Sequence, residues 1–188
     1  MRVNPKLLWL LVAVIAFAVT HRLSNPHRQY STRQYWESAT VASVADVPQK
    51  ALLPGNRNGG VLMWASMGAR DPEILRALVR RGAAINEVDA RFGGTPMSAA
   101  AGKSAHPEII GVLQSLGADP DQRVNNGETP AMIAAQYNHT PGIIEALAAV
   151  GADLAARNHQ GKSALDLARE TGNTTVEQAL LAAIPLER

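Results

Sequence analysis

The side chains with the chemistry to catalyse or to hold a metal are few, and their spacing argues against both. The five histidines are His21, His27, His106, His139 and His159, and there is no cysteine. This rules out disulfides, thiol catalysis, cysteine metal sites and acylation on cysteine. His106 and His139 fall at equivalent turns about one repeat apart, so a two-histidine site is conceivable there. No carboxylate accompanies them at ligand spacing, and they read as solvated turn histidines. No serine lies in a strand-turn-helix nucleophile motif, no glycine-rich loop has phosphate-cradling spacing, and no paired carboxylates stand apart from helix starts. No catalytic, cofactor-binding or metal residue is assigned, no cofactor is expected, and the expected activity is non-enzymatic.

The elements that carry these residues repeat. In Gly127 to Asp153, Thr129-Pro130 has a hydroxyl suited to cap free N–H groups, then a proline where its missing donor costs nothing. An Ala-rich helix over Ala131 to Gln136 follows. Thr140-Pro141 starts a second helix whose apolar face is Ile143, Ile144 and Leu147, and Gly151 stops it. Such a pair has two apolar sides and too little mass to bury them. Thr95-Pro96 stands 34 residues before Thr129-Pro130, and Ser163-Ala164 stands 34 after it. Gly82-Ala83, Gly117-Ala118 and Gly151-Ala152 recur at spacings of 35 and 34, and Pro72, Pro107 and Pro141 each fall 12 residues after their unit's opening.

A period near 33 built from turn, helix, helix is the ankyrin signature. The chain resembles the ankyrin repeat family at GGTPMSAAAG, GETPAMIAAQ, GKSALDLARE and the three Gly-Ala stops, over roughly residues 58–183. The resemblance implies an all-α solenoid of helix-turn-helix units joined by finger-like turns. The expected division is an export segment over 1–18, a polar linker over 19–34 and a degenerate cap over 35–57. Four units follow over 58–86, 87–121, 122–155 and 156–184, the last doubling as C-terminal cap. In the N-terminal cap, Trp36, Ala39, Val44 and Val47 form a stripe, Thr40 is a candidate helix start, and Pro48 cuts the helix. Ala65, Ala100, Ala134 and Ala168 occupy one column where inner helices meet.

The resemblance also implies a concave surface that binds a protein partner. With the family's geometry, one outward column is Met63, Ser98, Met132 and Asp166. A second is Met67, Gly102, Gln136 and Glu170, and a third is Gly68, Lys103, Tyr137 and Thr171. The fingers add Arg57, Arg91, Phe92, Arg123, Asn125, Asn126, Arg157 and His159. Their arginines would either clamp an acidic surface or support their own turns. Expected contacts on the inner helices are Met63, Met67, Lys103, Met132, Gln136 and Tyr137. Those on the fingers are Arg91, Phe92, Arg123, Asn125, Arg157 and His159. Trp64 shares a column with Ala99, Ile133 and Leu167 and is assigned to the core. Asn138-His139-Thr140 and Asn173-Thr174-Thr175 are formal glycosylation acceptors.

The N-terminus sets the expected location. MRVNPK is basic, Leu7 to Val19 has no polar residue, and Ala16-Phe17-Ala18 has the small-x-small form of a cleavage site. The run spans about 20 Å as a helix, short of the roughly 30 Å hydrocarbon core. It fits a secretory signal peptide, with an uncleaved anchor as the alternative. Both readings export the repeats: periplasmic or secreted, or anchored in the inner membrane with the repeats outside the cytoplasm. The formal charge is +2, but cleavage removes Arg2 and Lys6 and leaves 16 basic against 16 acidic residues. A neutral chain lacks the basic face of a nucleic-acid binder, so no nucleic acid is expected. Membrane contact is expected only through the N-terminal segment, and the chain is expected to be monomeric apart from its partner.

Overall fold

The computed structural model describes residues 28–54, 60–90 and 92–184. Among these, ten α-helices form and no strand does. The cap holds α1 (Arg33–Ser38) and α2 (Gln49–Leu52). Four helix pairs follow: α3 (Val61–Gly68) with α4 (Glu73–Arg80), α5 (Pro96–Lys103) with α6 (Glu108–Ser115), α7 (Pro130–Tyr137) with α8 (Gly142–Ala149), and α9 (Ala164–Thr171) with α10 (Thr174–Ala183). Inner helices α1, α3, α5, α7 and α9 stack in sequence, and α4, α6, α8 and α10 stack behind them. Residues 1–18, the expected export segment, lie outside the described residues.

Local chemistry sets each unit's ends. Thr95 accepts from the Ser98 N–H while Ser98 Oγ accepts from the Thr95 N–H, and Ser163 and Asp166 make the same reciprocal box. Thr129 departs from expectation: its hydroxyl caps nothing and is buried without a partner, with Met132 where the second and fourth units place Ser98 and Asp166. The outer helices stop on Gly82, Gly117 and Gly151 at φ 96°, 94° and 83°. The following alanine N–H groups donate back to Leu78, Leu113 and Leu147, closing a six-residue ring that requires the left-handed glycine.

Ala65, Ala100, Ala134 and Ala168 are fully buried, and this column lets the inner helices approach closely. Ala134→Leu is expected to overpack the α5–α7–α9 seam and lower stability by about 1–3 kcal/mol, read as a lower urea midpoint.

The cap differs from its expected layout. Thr32 caps α1 by accepting from the Tyr35 N–H at 3.3 Å, and the helix expected to start at Thr40 is only a 3-10 turn over Ala42–Asp46 with Val41 at its cap. Pro48 precedes α2 and opens it rather than cutting a helix, the position where proline costs least. Packed structure extends back into the stretch read as a linker. Tyr30 is buried, its hydroxyl donates to the Asp46 carbonyl at 2.9 Å, and its own carbonyl accepts from Trp36 Nε1. Gln49 Nε2 donates to the Arg81 carbonyl, and the Arg81 guanidinium donates to the Val44 carbonyl, so the cap is bonded to the first unit.

At the other end, Lys162 pairs with Glu170 at 2.7 Å and Arg169 with Glu177 at 2.8 Å on an exposed face. Asp166 accepts from the Ser163 N–H and hydroxyl, and these bonds, with Arg157 nearby, hold its carboxyl below the usual 3.8. A depressed folded-state value means the stabilisation is complete above the unfolded value and lost as pH falls through the folded one. Asp166→Asn is therefore expected to lower stability at pH 7, with its deficit shrinking as pH falls below about 4. Urea melts of both proteins from pH 7 to pH 2.5 check this.

Candidate functional site

The inner helices expose a narrow strip because neighbours cover them on both sides and from behind. On α3 the strip is Trp64 and Met67, on α5 Ala99 and Lys103 with Gly102 buried beside them, and on α7 Ile133, Gln136 and Tyr137. Equivalent positions thus read Trp64, Ala99, Ile133 and Met67, Gly102, Gln136. The middle repeat carries the smallest residue in both rows, so a notch opens between large side chains. The groove around it has a volume of about 620 Å³.

Its walls are aromatic and aliphatic. Trp64 meets Phe92 edge to face, ring centres 5.6 Å apart and planes at 90°. Phe92 comes from the finger before α5 and is 45% exposed; Tyr137 closes the opposite side and is 52% exposed. A Cβ on Gly102 would lie 2.8 Å from Ile133 Cγ2, so only glycine admits Ile133 at this distance. The Lys103 ammonium stands over the Tyr137 ring, 5.3 Å from its centre. Glu128 lines the finger side and accepts from Gln136 Nε2 at 2.9 Å.

Met67, Phe92, Lys103, Gln136 and Tyr137 are thus brought together on the concave face. One expected contact is not there, Met132, which is fully buried; Met63 lines the groove but is only 4% exposed. At the same position in the other units Ser98 and Asp166 serve as cap partners. The surface column is one residue further on, and it contains Trp64. The assignment of Trp64 to the core is therefore corrected: it is half-buried and forms the groove wall. One helical residue is a rotation of about 100°, enough to exchange seam for groove. Gly68 is also buried, beneath α1.

The finger residues mostly join finger to finger. Arg123 donates to the Gly127 carbonyl and to the Arg157 carbonyl of the next finger, both at 2.7 Å. Arg157 donates to the Gly161 carbonyl at 2.6 Å and to Asp166. These two guanidinia support turns, the second of the two expected roles. His159 lies over Gly127, where a Cβ would sit 2.6 Å from its ring, and its N–H donates to the Asn126 carbonyl. One repeat earlier Asn125 covers Gly93 and also lines the groove. Arg91 and Arg57 lie outside the described residues.

Both glycosylation motifs are closed by the fold. Asn138 Nδ2 donates to the Ala101 and Ser104 carbonyls, Asn173 Nδ2 to those of Ala135 and Asn138, and both side chains are buried. Among the described residues no three histidine or carboxylate side chains gather as a metal site, and no helix is long and apolar enough to cross a membrane.

Residues 62–158 and 97–185 match the family model described as ankyrin repeats (3 copies), together more than half of the chain. No curated protein matches the sequence.

Proposed function

Given that the chain belongs to the ankyrin repeat proteins, and so is a protein–protein interaction module, we propose that it recognises one partner through the groove between Trp64 and Tyr137, outside the cytoplasm. The observation that carries the reading is the notch at Ala99 and Gly102, flanked by exposed aromatic side chains at the centre of the concave face. Large rigid side chains beside a recess are what partner anchors require, and such clusters supply most of the energy of an interface. The pairing of Arg123 and Arg157 within the fingers concentrates recognition in the groove.

The location rests on the first 19 residues, whose basic start, apolar run and small-x-small site fit export. The role is accessory or inhibitory: the protein binds an exported partner and restrains or stabilises it without chemistry of its own. The apolar run also supports a second reading, a membrane-anchored scaffold.

Affinity capture from the native host with intact-mass measurement tests both parts. Loss of about 18 residues together with an exported protein bound is the expected result. An intact N-terminus with membrane proteins bound would favour the anchored scaffold. Exclusively cytosolic partners would overturn the proposal.

A further inference from the structure

The groove differs from a generic concave face in one respect: its middle helix places the small residues Ala99 and Gly102 between the larger side chains of its neighbours. Trp64 and Met67 line it on one side and Ile133 and Tyr137 on the other, with Ile133 packed onto Gly102 and Ala99 left as the low point between them. The recess is apolar, open to solvent and large enough for a bulky side chain with part of its backbone.

Its charges are unevenly paired. Arg33 on α1 is held by Glu37 at 2.8 Å, and Glu128 is held by the Gln136 amide. Lys103 is more than a third exposed, and among the described residues its ammonium meets no carboxylate at ion-pair distance; its neighbour is the Tyr137 ring. An unpaired ammonium at the lip of an apolar recess attracts an anion, and the low-dielectric wall strengthens that attraction.

We propose, resting on the reading of the groove as the partner site, that the occupant is a partner segment with one bulky apolar side chain next to a carboxylate. The apolar group fills the notch between Trp64 and Tyr137, and an adjacent aspartate or glutamate reaches Lys103. Basic segments are disfavoured because they would bring a cation to Lys103 and Arg33, with only the already bonded Glu128 in compensation.

Selection of random dodecapeptides on the tagged chain purified from its host tests this. Enriched peptides are expected to share a bulky apolar residue with an acidic residue within two positions. Ala99→Met, which fills the notch, is expected to abolish their binding. Lys103→Glu is expected to weaken it by at least about tenfold, the scale of one close interfacial charge pair. Tyr137→Ala serves as a second groove variant should Ala99→Met melt early. Peptides that are lost in the groove variants but carry basic residues, or no charge preference, would overturn the inference and leave the groove reading intact. Peptides indifferent to both groove variants, or no enrichment over bare support, would overturn both. Enrichment only on a chain lacking residues 1–19 would show the groove filled by the chain's own apolar stretch and would also overturn the inference.

Discussion

Asn138→Ala is expected to lower the free energy of unfolding by about 3 kcal/mol. The side chain bridges repeats: its amide N–H groups donate to the Ala101 and Ser104 carbonyls at 2.8 and 2.9 Å, and its oxygen accepts from the Thr140 N–H. Alanine leaves two carbonyls at the end of α5 and one amide at the start of the next turn without these partners. Each buried polar group left unsatisfied costs about 1–3 kcal/mol, and water entering the gap recovers part of the total. Asn173 repeats the arrangement one unit later, on the Ala135 and Asn138 carbonyls. Because stability in a stacked array is carried by nearest-neighbour interfaces, Asn138→Ala is expected to uncouple the first two units from the last two. Urea unfolding followed by circular dichroism checks this: the midpoint falls and the transition broadens. A change below about 0.5 kcal/mol would show that the bridge contributes no more than a surface residue.

Trp64→Ala is expected to weaken partner binding by about 30-fold or more, the 2 kcal/mol scale of an interface hot spot. The indole forms the wall of the notch and holds Phe92 edge to face. Removing it takes away one wall of the groove and the support of a second aromatic. Trp64 also packs against the core, so this variant is expected to lose stability as well. Tyr137→Ala separates the two effects. Tyr137 is 52% exposed, so its loss is expected to change stability by no more than about 0.5 kcal/mol while still costing at least about tenfold in affinity. Titration of the captured partner against both variants, beside thermal melts, is the check. Unchanged affinity in Tyr137→Ala would remove this end of the groove from the interface.

The repeat architecture is legible in the sequence because its signals are local. Thr-Pro fixes a helix start and Gly-Ala fixes a stop wherever they occur, and their recurrence needs no tertiary knowledge. The direction of an inner-helix side chain is another matter. These helices are eight residues long and Ala-rich, with apolar residues on nearly every side, so their periodicity marks no single face. Met63 and Trp64 show the consequence: both line the groove, but the methionine is almost wholly buried while the indole is only half-buried. The cues that correct them are long-range, namely the packing of three inner helices side by side and the edge-to-face contact with Phe92. The finger arginines fall in the same class. Only the carbonyls of the next finger, about one repeat away in sequence, show that Arg123 bridges turns. Tyr30 falls in the expected linker stretch because its bonding partners, Trp36 and the Asp46 carbonyl, belong to a cap with no repeat to mark it.

The central claim is that the concave groove meets the partner, and the most direct test is photo-crosslinking in the native host. A photoreactive phenylalanine analogue at Tyr137 reports the groove, and the same group at Gln114, exposed on outer helix α6, reports the opposite face. The expected result is a partner adduct from position 137 and none from 114. Adducts from 114 with none from 137 would contradict the account, placing recognition on the outer helices and leaving the notch between Trp64 and Tyr137 without its assigned role.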